Sequence, residues 1–426
     1  MIWPVHSVLK KHLTNGLIVF VGQMVTAVGG LAMVRVMTEH LSPEEYGLLT
    51  LGITFALMAN QIIFGPLGSG LTRFFAAAAE KGETAAFLQA ATTLGKYAAA
   101  VLVALAAVAV LVLCVLGSYR WATLLGLGLL FSLAAGFYAL FNGIFLAKNA
   151  QVTLTSFQSS EPLARLALAV VVMAVLGATA EAALTGYILG TLITVLLQVW
   201  KMMRAHPLEA LAGPELKAKW LDKVVRYGAP YATWGVFTTI NLASDRWVLK
   251  WAQGQDQVGL YAALYQIGYL PVVMLVSIFA QVITPHLYQS AGDGTDGARL
   301  TGVYALVKKA VAACLATTLA LVVMGYFLHG LVYQWFVSKA YASVSSYLPL
   351  MILAAGIFAS AQIAALRLHS GASTTQLIPV KIGCAVIGII LNVILGSQYG
   401  VFGIVLAQLL TSVTFFMWIF AIGPKS

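Results

Sequence analysis

The chain has 426 residues, of which 61% are hydrophobic and 9% are charged. This composition excludes a soluble domain and predicts an all-α polytopic membrane protein, because its long apolar runs are those of membrane-spanning helices. The strands of a transmembrane β-barrel would instead be short and alternating. The net charge of +10 is attributed to Lys and Arg in cytoplasmic loops, rather than to nucleic-acid binding.

The cysteines and histidines form no recognisable motif. Each of the three cysteines stands alone in an apolar run, and the seven histidines lack the spacing of a metal site. We therefore expect no metal, no cofactor and no catalytic residue. Coupling of any transport to a proton, to sodium or to the membrane potential is left open.

The first predicted helix, 13–37, contains Gly22, Gly29 and Gly30, small residues that let another membrane helix approach closely. Arg35 lies near its end, and the loop Leu41-Ser42-Pro43-Glu44-Glu45-Tyr46-Gly47 follows. A span needs about 20 apolar residues. This rule predicts twelve spans: 13–37, 46–68, 93–117, 121–147, 153–177, 181–201, 226–251, 259–284, 304–331, 344–366, 374–395 and 399–421.

The second half of the chain repeats features of the first. Constant offsets relate three pairs of residues: 212 takes Gly47 onto Gly259, and 217 takes Pro162 onto Pro379 and Gly186 onto Gly403. We predict two six-helix lobes, 1–206 and 207–426, joined by the polar linker 201–226. Six spans in each lobe make the repeat parallel, and such lobes commonly enclose a central cavity.

The distribution of basic residues predicts the orientation in the membrane. An even number of spans places both termini on one side, and the cytoplasmic side is the one that collects Lys and Arg. With both termini cytoplasmic, five of the 24 basic residues lie on the outer side: Arg35, Arg120, Arg246, Lys250 and Lys339.

Glu161 and Arg165 lie inside the fifth predicted span, four residues apart and therefore on one helix face, with Pro162 between them. A charge within a span is costly and usually faces a cavity or a partner. Arg165 is thus a candidate to bind an anionic substrate, with Glu161 as its ion-pair partner. The alternative is an internally satisfied pair that only shapes the helix.

Lys381 follows Pro379 in the eleventh predicted span, at nearly the place that Arg165 takes after Pro162. One cation in each half at similar positions predicts a site for an anion between the halves. The alternative is a lysine whose long stem reaches back to the membrane interface.

A third set of charges lies at the outer ends of spans. Arg35 and Arg246 are candidates to bind phosphate, and Asp245 and Lys250 are candidates for a gating ion pair. The alternative is stronger here than for the other two sets, because arginines near span ends commonly extend to lipid headgroups.

These features resemble a known family. The two halves, the first helix ending in Arg35 with its Leu41–Gly47 loop, and Asp245-Arg246 followed by Gly259-Leu260-Tyr261 are similar to the polysaccharide-transporter branch of the multidrug/oligosaccharidyl-lipid/polysaccharide (MOP) exporter superfamily. That branch includes the flippases for lipopolysaccharide O-antigen. The resemblance implies a MATE-like, V-shaped fold with alternating access.

The resemblance also implies a function. Such a flippase carries a polyprenyl-diphosphate-linked oligosaccharide across the bacterial inner membrane, and the polysaccharide polymerase machinery is a possible partner. A cationic cavity suits the diphosphate, and no covalent chemistry is required. A multidrug or cation antiporter of the same superfamily is the nearest alternative, although it would favour buried carboxylates. A membrane glycosyltransferase or polymerase fits less well, because all predicted outer loops are short; a purely structural scaffold would not need charges inside its spans.

Overall fold

The computed structural model describes residues 3–148, 150–205, 213–291, 297–370 and 377–422, and every regular element in these ranges is helical. Thirteen α-helices are described: α1 (Trp3–His40), α2 (Pro43–Ala59), α3 (Gly65–Glu80), α4 (Thr84–Val115), α5 (Tyr119–Ala147), α6 (Gln151–Leu176), α7 (Ala180–Ala205), α8 (Pro214–Gln253), α9 (Gln255–Leu264), α10 (Leu270–Ala291), α11 (Gly297–Phe336), α12 (Leu348–Ser370) and α13 (Leu377–Ala421). π-Helical turns join α2 to α3 and α9 to α10, and a 3₁₀ helix, Lys339–Tyr347, precedes α12.

Ten helical stretches of the described residues are long and apolar enough to cross a membrane: Val21–His40, Pro43–Glu80, Thr84–Val115, Tyr119–Ala147, Gln151–Leu176, Ala180–Arg204, Gln255–Ser277, Arg299–Phe336, Lys339–Leu368 and Leu377–Ala421. The last stretch contains two predicted spans, 374–395 and 399–421, of which residues 374–376 lie outside the described part. The helix is interrupted at Gly400, the second residue of the span 399–421, where φ is 58°. The predicted span 226–251 belongs to α8 but is not among the ten, because tyrosine, threonine and charged residues lower its hydropathy.

The first compact unit comprises residues 1–36 and 48–239. Within it, α5 packs against α3, α4 and α7, and α6 packs along α7. Helix α1 lies close to α6, since a Cβ on Gly22 would fall 1.9 Å from the Thr155 side chain and one on Gly29 would contact Leu163. The predicted close approach of another helix is confirmed at Gly22 and Gly29 but is wrong at Gly30, where a Cβ would meet nothing within 4 Å.

The first part of α8 belongs to this first unit. Trp220 is 1% exposed, and its indole N–H donates a hydrogen bond of 2.8 Å to Glu83 Oε2 in the loop after α3. A Cβ on Gly228 would fall 2.6 Å from the carbonyl oxygen of Pro66, so the α8 backbone also lies directly against α3. These contacts hold α8 to the first unit, whereas its residues from 240 onward belong to the second unit.

The second compact unit comprises residues 37–47 and 240–426. In this unit α12 packs against α10, α11 and α13, and its apolar core includes Leu287, Val307, Ile363, Val380 and Phe415. The two parts of α13 pack tightly near their break, because a Cβ on Gly403 would fall 1.9 Å from Leu395 O.

Two helix starts meet inside the second unit through the glycine pair that the repeat singled out. A Cβ on Gly47 would fall 1.9 Å from Gln255 O, and a Cβ on Gly259 would fall 1.9 Å from Pro43 O. The offset of 212 that relates Gly47 to Gly259 also relates Pro43 to Gln255, so the contact is reciprocal. The first turns of α2 and α9 therefore cross as equivalent elements of the repeat, and only residues without a side chain fit there.

Buried hydrogen bonds fix the segment 37–47 in the second unit. Tyr341 is buried and donates its hydroxyl to Leu41 O at 2.9 Å, and the Ser338 amide donates to Thr38 Oγ1 at 3.2 Å. The Tyr46 ring packs edge-on against that of Tyr341, at 5.9 Å between centroids. The end of the first helix is thus held by residues that lie about 300 positions later in the chain.

The contacts group the chain differently from the predicted lobes, 1–206 and 207–426. The boundary between those lobes, at 206/207, and the middle of the predicted linker 201–226 lie outside the described residues, which resume at 213. Beyond this part of the chain, helix α8 runs without interruption from Pro214 to Gln253 and contributes to both units. The division of the chain into two six-helix lobes that act as functional halves therefore stays a prediction.

Candidate functional site

The site is built on a close crossing of α6 and α7 in the first unit. Gly186 and Gly190 lie one turn apart on α7, and both face the α6 backbone: a Cβ would fall 2.3 Å from Ala169 Cα at Gly186 and 2.6 Å from Arg165 N at Gly190. Small residues at four-residue spacing allow such backbone contact between membrane helices. Because no space remains between the helices, the Arg165 side chain has to leave the crossing sideways.

Pro162 lies inside α6 and removes one backbone donor from that helix. The carbonyl that loses its intrahelical partner belongs to Gln158, four residues earlier. Thr26 Oγ1 of α1 lies 3.3 Å from this oxygen and 2.9 Å from Gly22 O of its own helix, so its single hydrogen is shared between two carbonyls, and Gln23 Nε2 lies 3.4 Å from the Gln158 side-chain oxygen. Polar side chains of α1 therefore lie against the part of α6 where the proline interrupts one backbone hydrogen bond.

Glu161 is 5% exposed and has two partners within the described unit. Its Oε1 accepts a hydrogen bond of 2.9 Å from Thr191 Oγ1 of α7, and Arg165 Nε lies 2.9 Å from the same oxygen. Thr191 is itself fully buried, at 0% exposure. The carboxylate is thus fixed by one neutral donor from α7 and by one cation from its own helix.

The Arg165 guanidinium lies between two aromatic rings. Its central carbon is 5.7 Å from the centre of the Phe131 ring on α5 and 5.6 Å from that of Tyr187 on α7. Both distances fall within the range of cation–π attraction. The side chain nevertheless remains 24% exposed, so one edge of the cation is accessible from outside the helix packing.

Further polar groups continue this interior between α5, α6 and α7. Gln198 of α7 is buried, and its Nε2 donates to Asn142 Oδ1 of α5 at 2.9 Å. Tyr138, also on α5, donates its hydroxyl to Phe157 O at 3.3 Å. The pair Glu161–Arg165 therefore lies in a polar region of the bundle rather than on a uniformly apolar helix face.

Asp245 and Arg246 occupy a different environment, inside the second unit. Asp245 is 5% exposed and accepts from Tyr261 OH at 2.6 Å and from the Arg246 amide at 2.7 Å. The Arg246 guanidinium lies 5.3 Å from the Tyr265 ring centre and 3.7 Å from Asp245 Oδ1. Tyr265 in turn stacks on Tyr269 at 4.7 Å. Arg246 was predicted to bind phosphate and Asp245 to take part in a gate. In the structure both residues pack in a cluster with the tyrosines of α9 and of the π-helical turn that follows it.

The remaining predicted residues are distributed along three helices. Arg35 is half-buried on α1, at the last residues of that helix that belong to the first unit. Lys250 is half-buried near the end of α8, and Lys381 is half-buried near the start of α13. The structure brings together Glu161 with Arg165 and Asp245 with Arg246, in separate units.

Lys381 and Arg165 differ in their distance from the turn that follows them. Arg165 lies twelve residues before Gly177, where α6 ends, whereas Lys381 lies nineteen residues before Gly400, where α13 breaks. At a rise of 1.5 Å per residue this difference amounts to about 10 Å. The equivalence of the two cations in the sequence repeat is therefore approximate in the helices that carry them.

The family model described as "Polysaccharide biosynthesis protein" matches residues 12–290. The chain belongs to this family. No curated protein matches it. The match covers all of α1 to α9 except the first residues of α1, and it therefore includes the Glu161–Arg165 site and the Asp245–Arg246 cluster.

Solved structures show the fold of this family member. A lipid II flippase MurJ in an inward closed conformation is 14% identical, with coverage of 96% of this chain and 87% of that one and a TM-score of 0.75. A multidrug resistance MATE transporter of the MOP superfamily, facing inward, is also 14% identical, with 94% coverage of both chains and a TM-score of 0.68. A MOP transporter from Pyrococcus furiosus Vc1, described as having a binding pocket of reverse polarity, is 14% identical with a TM-score of 0.62 over 96% and 93% of the chains. The predicted superfamily and the all-α, MATE-like membrane fold are confirmed.

The residues that surround Arg165 carry little signal in the sequence. Thr191, Tyr187 and Phe131 hold the ion pair, but each is an ordinary residue of an apolar span when it is seen in sequence alone. The available signal was the spacing of Gly186 and Gly190, which is the small-residue pattern of a close helix contact. Gly186 and Gly190 mark the crossing, and Thr191 directly follows the second of them.

Proposed function

We propose that this family member is a flippase that moves a polyprenyl-diphosphate-linked oligosaccharide from the cytoplasmic to the outer leaflet of the bacterial inner membrane. In this proposal both termini are cytoplasmic, the spans alternate between inward and outward access, and the polysaccharide polymerase machinery acts on the product. The observation that carries the proposal is Arg165, a cation inside a membrane helix with an accessible edge.

The chemistry of Arg165 fits a diphosphate. Arg165 Nε lies 2.9 Å from Glu161 Oε1 as an ion pair without making a hydrogen bond, and a guanidinium carries five N–H donors in one plane. Their planar arrangement matches two phosphate oxygens at once, which an ammonium group does not. The rings of Phe131 and Tyr187 fix the plane of the guanidinium, so part of the ordering cost of binding is already met.

The position of Arg165 also argues for a function beyond packing. A charged side chain near the middle of a span costs at least roughly 2.5–3.5 kcal/mol. A purely structural pair would be as stable or more stable if apolar residues of similar volume replaced it. A site that has to receive an anion within the membrane is a reason to retain the cation.

The buried carboxylates disfavour the alternative of a cation or drug antiporter. Among the described residues, Glu161 and Asp245 are the buried acids, and each has donors from the protein. Each also has an arginine beside it, which would repel a cationic substrate. The family match and the transporter fold support transport rather than the glycosyltransferase or polymerase alternative.

Complementation tests the proposal. A bacterial strain that lacks its own flippase and accumulates lipid-linked repeat units in the inner leaflet would receive this chain. We expect surface polysaccharide to return with the wild type and to be lost with Arg165→Ala and with Lys381→Ala, because each cation contacts the headgroup on its path. Equal amounts of each variant in the membrane have to be shown by immunoblot.

Arg226→Ala is the matched control for the arginine. Arg226 is also paired four residues along its helix, to Asp222 at 2.7 Å, but its side chain is 81% exposed. We expect this variant to export at the wild-type level. Full polysaccharide assembly by the double variant Arg165→Ala/Lys381→Ala would contradict the proposal, and so would polymer formation in vitro by the purified protein alone.

A further inference from the structure

We infer that Glu161 competes with the lipid diphosphate for Arg165, and that the site takes up a proton when the diphosphate wins. This inference rests on the proposed function and specifies how its anion site is regulated. It assigns Glu161 two roles, the resting partner of the cation and the acceptor of the proton.

The geometry provides the competition. Arg165 Nε lies 2.9 Å from Glu161 Oε1, and the accessible edge of the guanidinium belongs to the same planar group. The close crossing at Gly190 prevents the arginine from withdrawing toward α7, because the α7 backbone already lies against Arg165 N. A headgroup therefore has to approach the cation while Glu161 is beside it.

The second partner of Glu161 allows the carboxylate to be left behind. Thr191 Oγ1 donates to it at 2.9 Å from the opposing helix, independently of Arg165. A hydroxyl can also rotate and accept a hydrogen bond, so it can serve a protonated carboxyl as well as an ionised one. Thr191 is thus a positioning residue that holds Glu161 in place whichever partner Arg165 has.

The charges give the direction of the effect. A diphosphate at Arg165 brings a second anion next to Glu161 in a poorly hydrated environment, where like charges repel strongly. Protonation of the carboxyl removes the repulsion, so the bound state holds more protons than the free state. By linkage, affinity for the diphosphate rises as the pH falls.

Among the residues that the structure describes, the other groups that face Glu161 do not supply a competing proton site. On its own helix the charged group is Arg165, and the nearby titratable groups on the packed helices are Tyr138 on α5 and Tyr187 on α7. Helix α1 presents Gln23 and Thr26 to this part of α6, and neither titrates. Tyrosines remain neutral over the range from pH 6 to pH 8.

Binding titrations on the purified full chain test this inference, with farnesyl diphosphate as the probe and farnesol as the uncharged control. We expect the wild type to bind the probe more tightly at pH 6 than at pH 8. Glu161→Gln should bind about 10- to 100-fold more tightly than the wild type at pH 8, because the amide no longer holds the cation. The difference between Glu161→Gln and the wild type should shrink at pH 6, and this comparison cancels the titration of the probe itself.

Asp222→Asn is the matched control, since it removes the carboxylate of an exposed arginine pair of the same spacing and should leave the affinity unchanged. Equal affinities of Glu161→Gln and wild type at both pH values would overturn the inference. Thr191→Val retains both charges and tests the same competition if Glu161→Gln does not fold.

The proposed function fails in a different way. If Arg165→Ala binds the probe as well as the wild type, the anion site is not at Arg165, and the proposed site and the competition are both refuted. If Arg165→Ala abolishes binding but Glu161→Gln changes neither the affinity nor its pH profile, the site stands and the competition alone is refuted.

Discussion

Thr191→Val isolates the hydrogen bond that supports Glu161 without changing any charge. Valine has nearly the shape of threonine and lacks the hydroxyl that donates to Glu161 Oε1 at 2.9 Å. In the resting state the carboxylate keeps Arg165 as a partner, so the loss is partly compensated. With a diphosphate on Arg165 the carboxylate would have no partner left, and the bound state should therefore lose more than the free state.

The size of the effect follows from measured hydrogen bonds. A hydrogen bond to a charged group is worth roughly 1.5–3 kcal/mol in soluble proteins, but measured values between membrane helices average about 0.6 and reach about 1.7 kcal/mol. The membrane range applies here, because Thr191 and Glu161 are buried between two spans. A difference of about 1 kcal/mol between the two states corresponds to about fivefold weaker binding of farnesyl diphosphate at pH 8.

The assay is the same binding titration at pH 8, accompanied by thermal unfolding in detergent to show that the variant is folded. Thr194→Val is the matched control on the same helix, since Thr194 is buried too and its hydroxyl donates only to the Gly190 carbonyl among its described hydrogen bonds. Wild-type affinity in Thr191→Val, or an equal loss in Thr194→Val, would refute the role assigned to this hydroxyl.

Two glycine substitutions test the backbone crossings. In Gly190→Val the new Cβ would fall 2.6 Å from Arg165 N, so α6 and α7 have to separate; we expect a lower unfolding temperature and lost export, whereas Gly126→Ala, whose Cβ would have a contact of 3.5 Å, should behave as wild type. In Gly47→Val the Cβ would fall 1.9 Å from Gln255 O, so the unfolding temperature should fall, whereas Gly30→Ala, which meets nothing within 4 Å, should not change it. Unchanged unfolding temperatures in both valine variants would contradict the packing described for these crossings.

The repeat was the part of the architecture that the sequence predicted best. A constant offset of 212 related Gly47 to Gly259, and the two residues are in mutual contact, with Pro43 and Gln255 related in the same way. The two helix N-termini are equivalent in the repeat and contact each other, so the space for a side chain is equally small in both. A glycine required by such a crossing is therefore required twice, and the pair is visible in a single sequence.

The organisation of α8 could not be predicted in the same way. Polarity marked residues 201–226 as a linker, because a hydrophilic stretch between spans usually lies outside the bundle. Trp220 is nevertheless buried, through a hydrogen bond to Glu83 and an edge-on contact with the Phe87 ring at 5.6 Å. These partners lie more than 130 positions earlier in the chain, and hydrophobic periodicity within α8 carries no information about them.

The same limit applies to the candidate site. Glu161-Arg165 and Asp245-Arg246 look alike in sequence, as an acid and an arginine close together in or near a span. Their surroundings separate them: Arg246 is 12% exposed and stacks over a tyrosine ladder, whereas Arg165 keeps a 24% exposed side chain between two rings. Asp245 has a tyrosine hydroxyl at 2.6 Å in addition to a backbone donor, so its partners belong to the packing of one unit.

An arginine that exchanges its carboxylate partner for a phosphate needs an accessible edge. Of the two pairs, Glu161–Arg165 on α6 is the one whose arginine has the more exposed side chain. This difference in exposure, rather than the sign or number of charges, is why we propose Arg165 as the headgroup ligand, whereas the roles of Arg246 and Asp245 stay predictions.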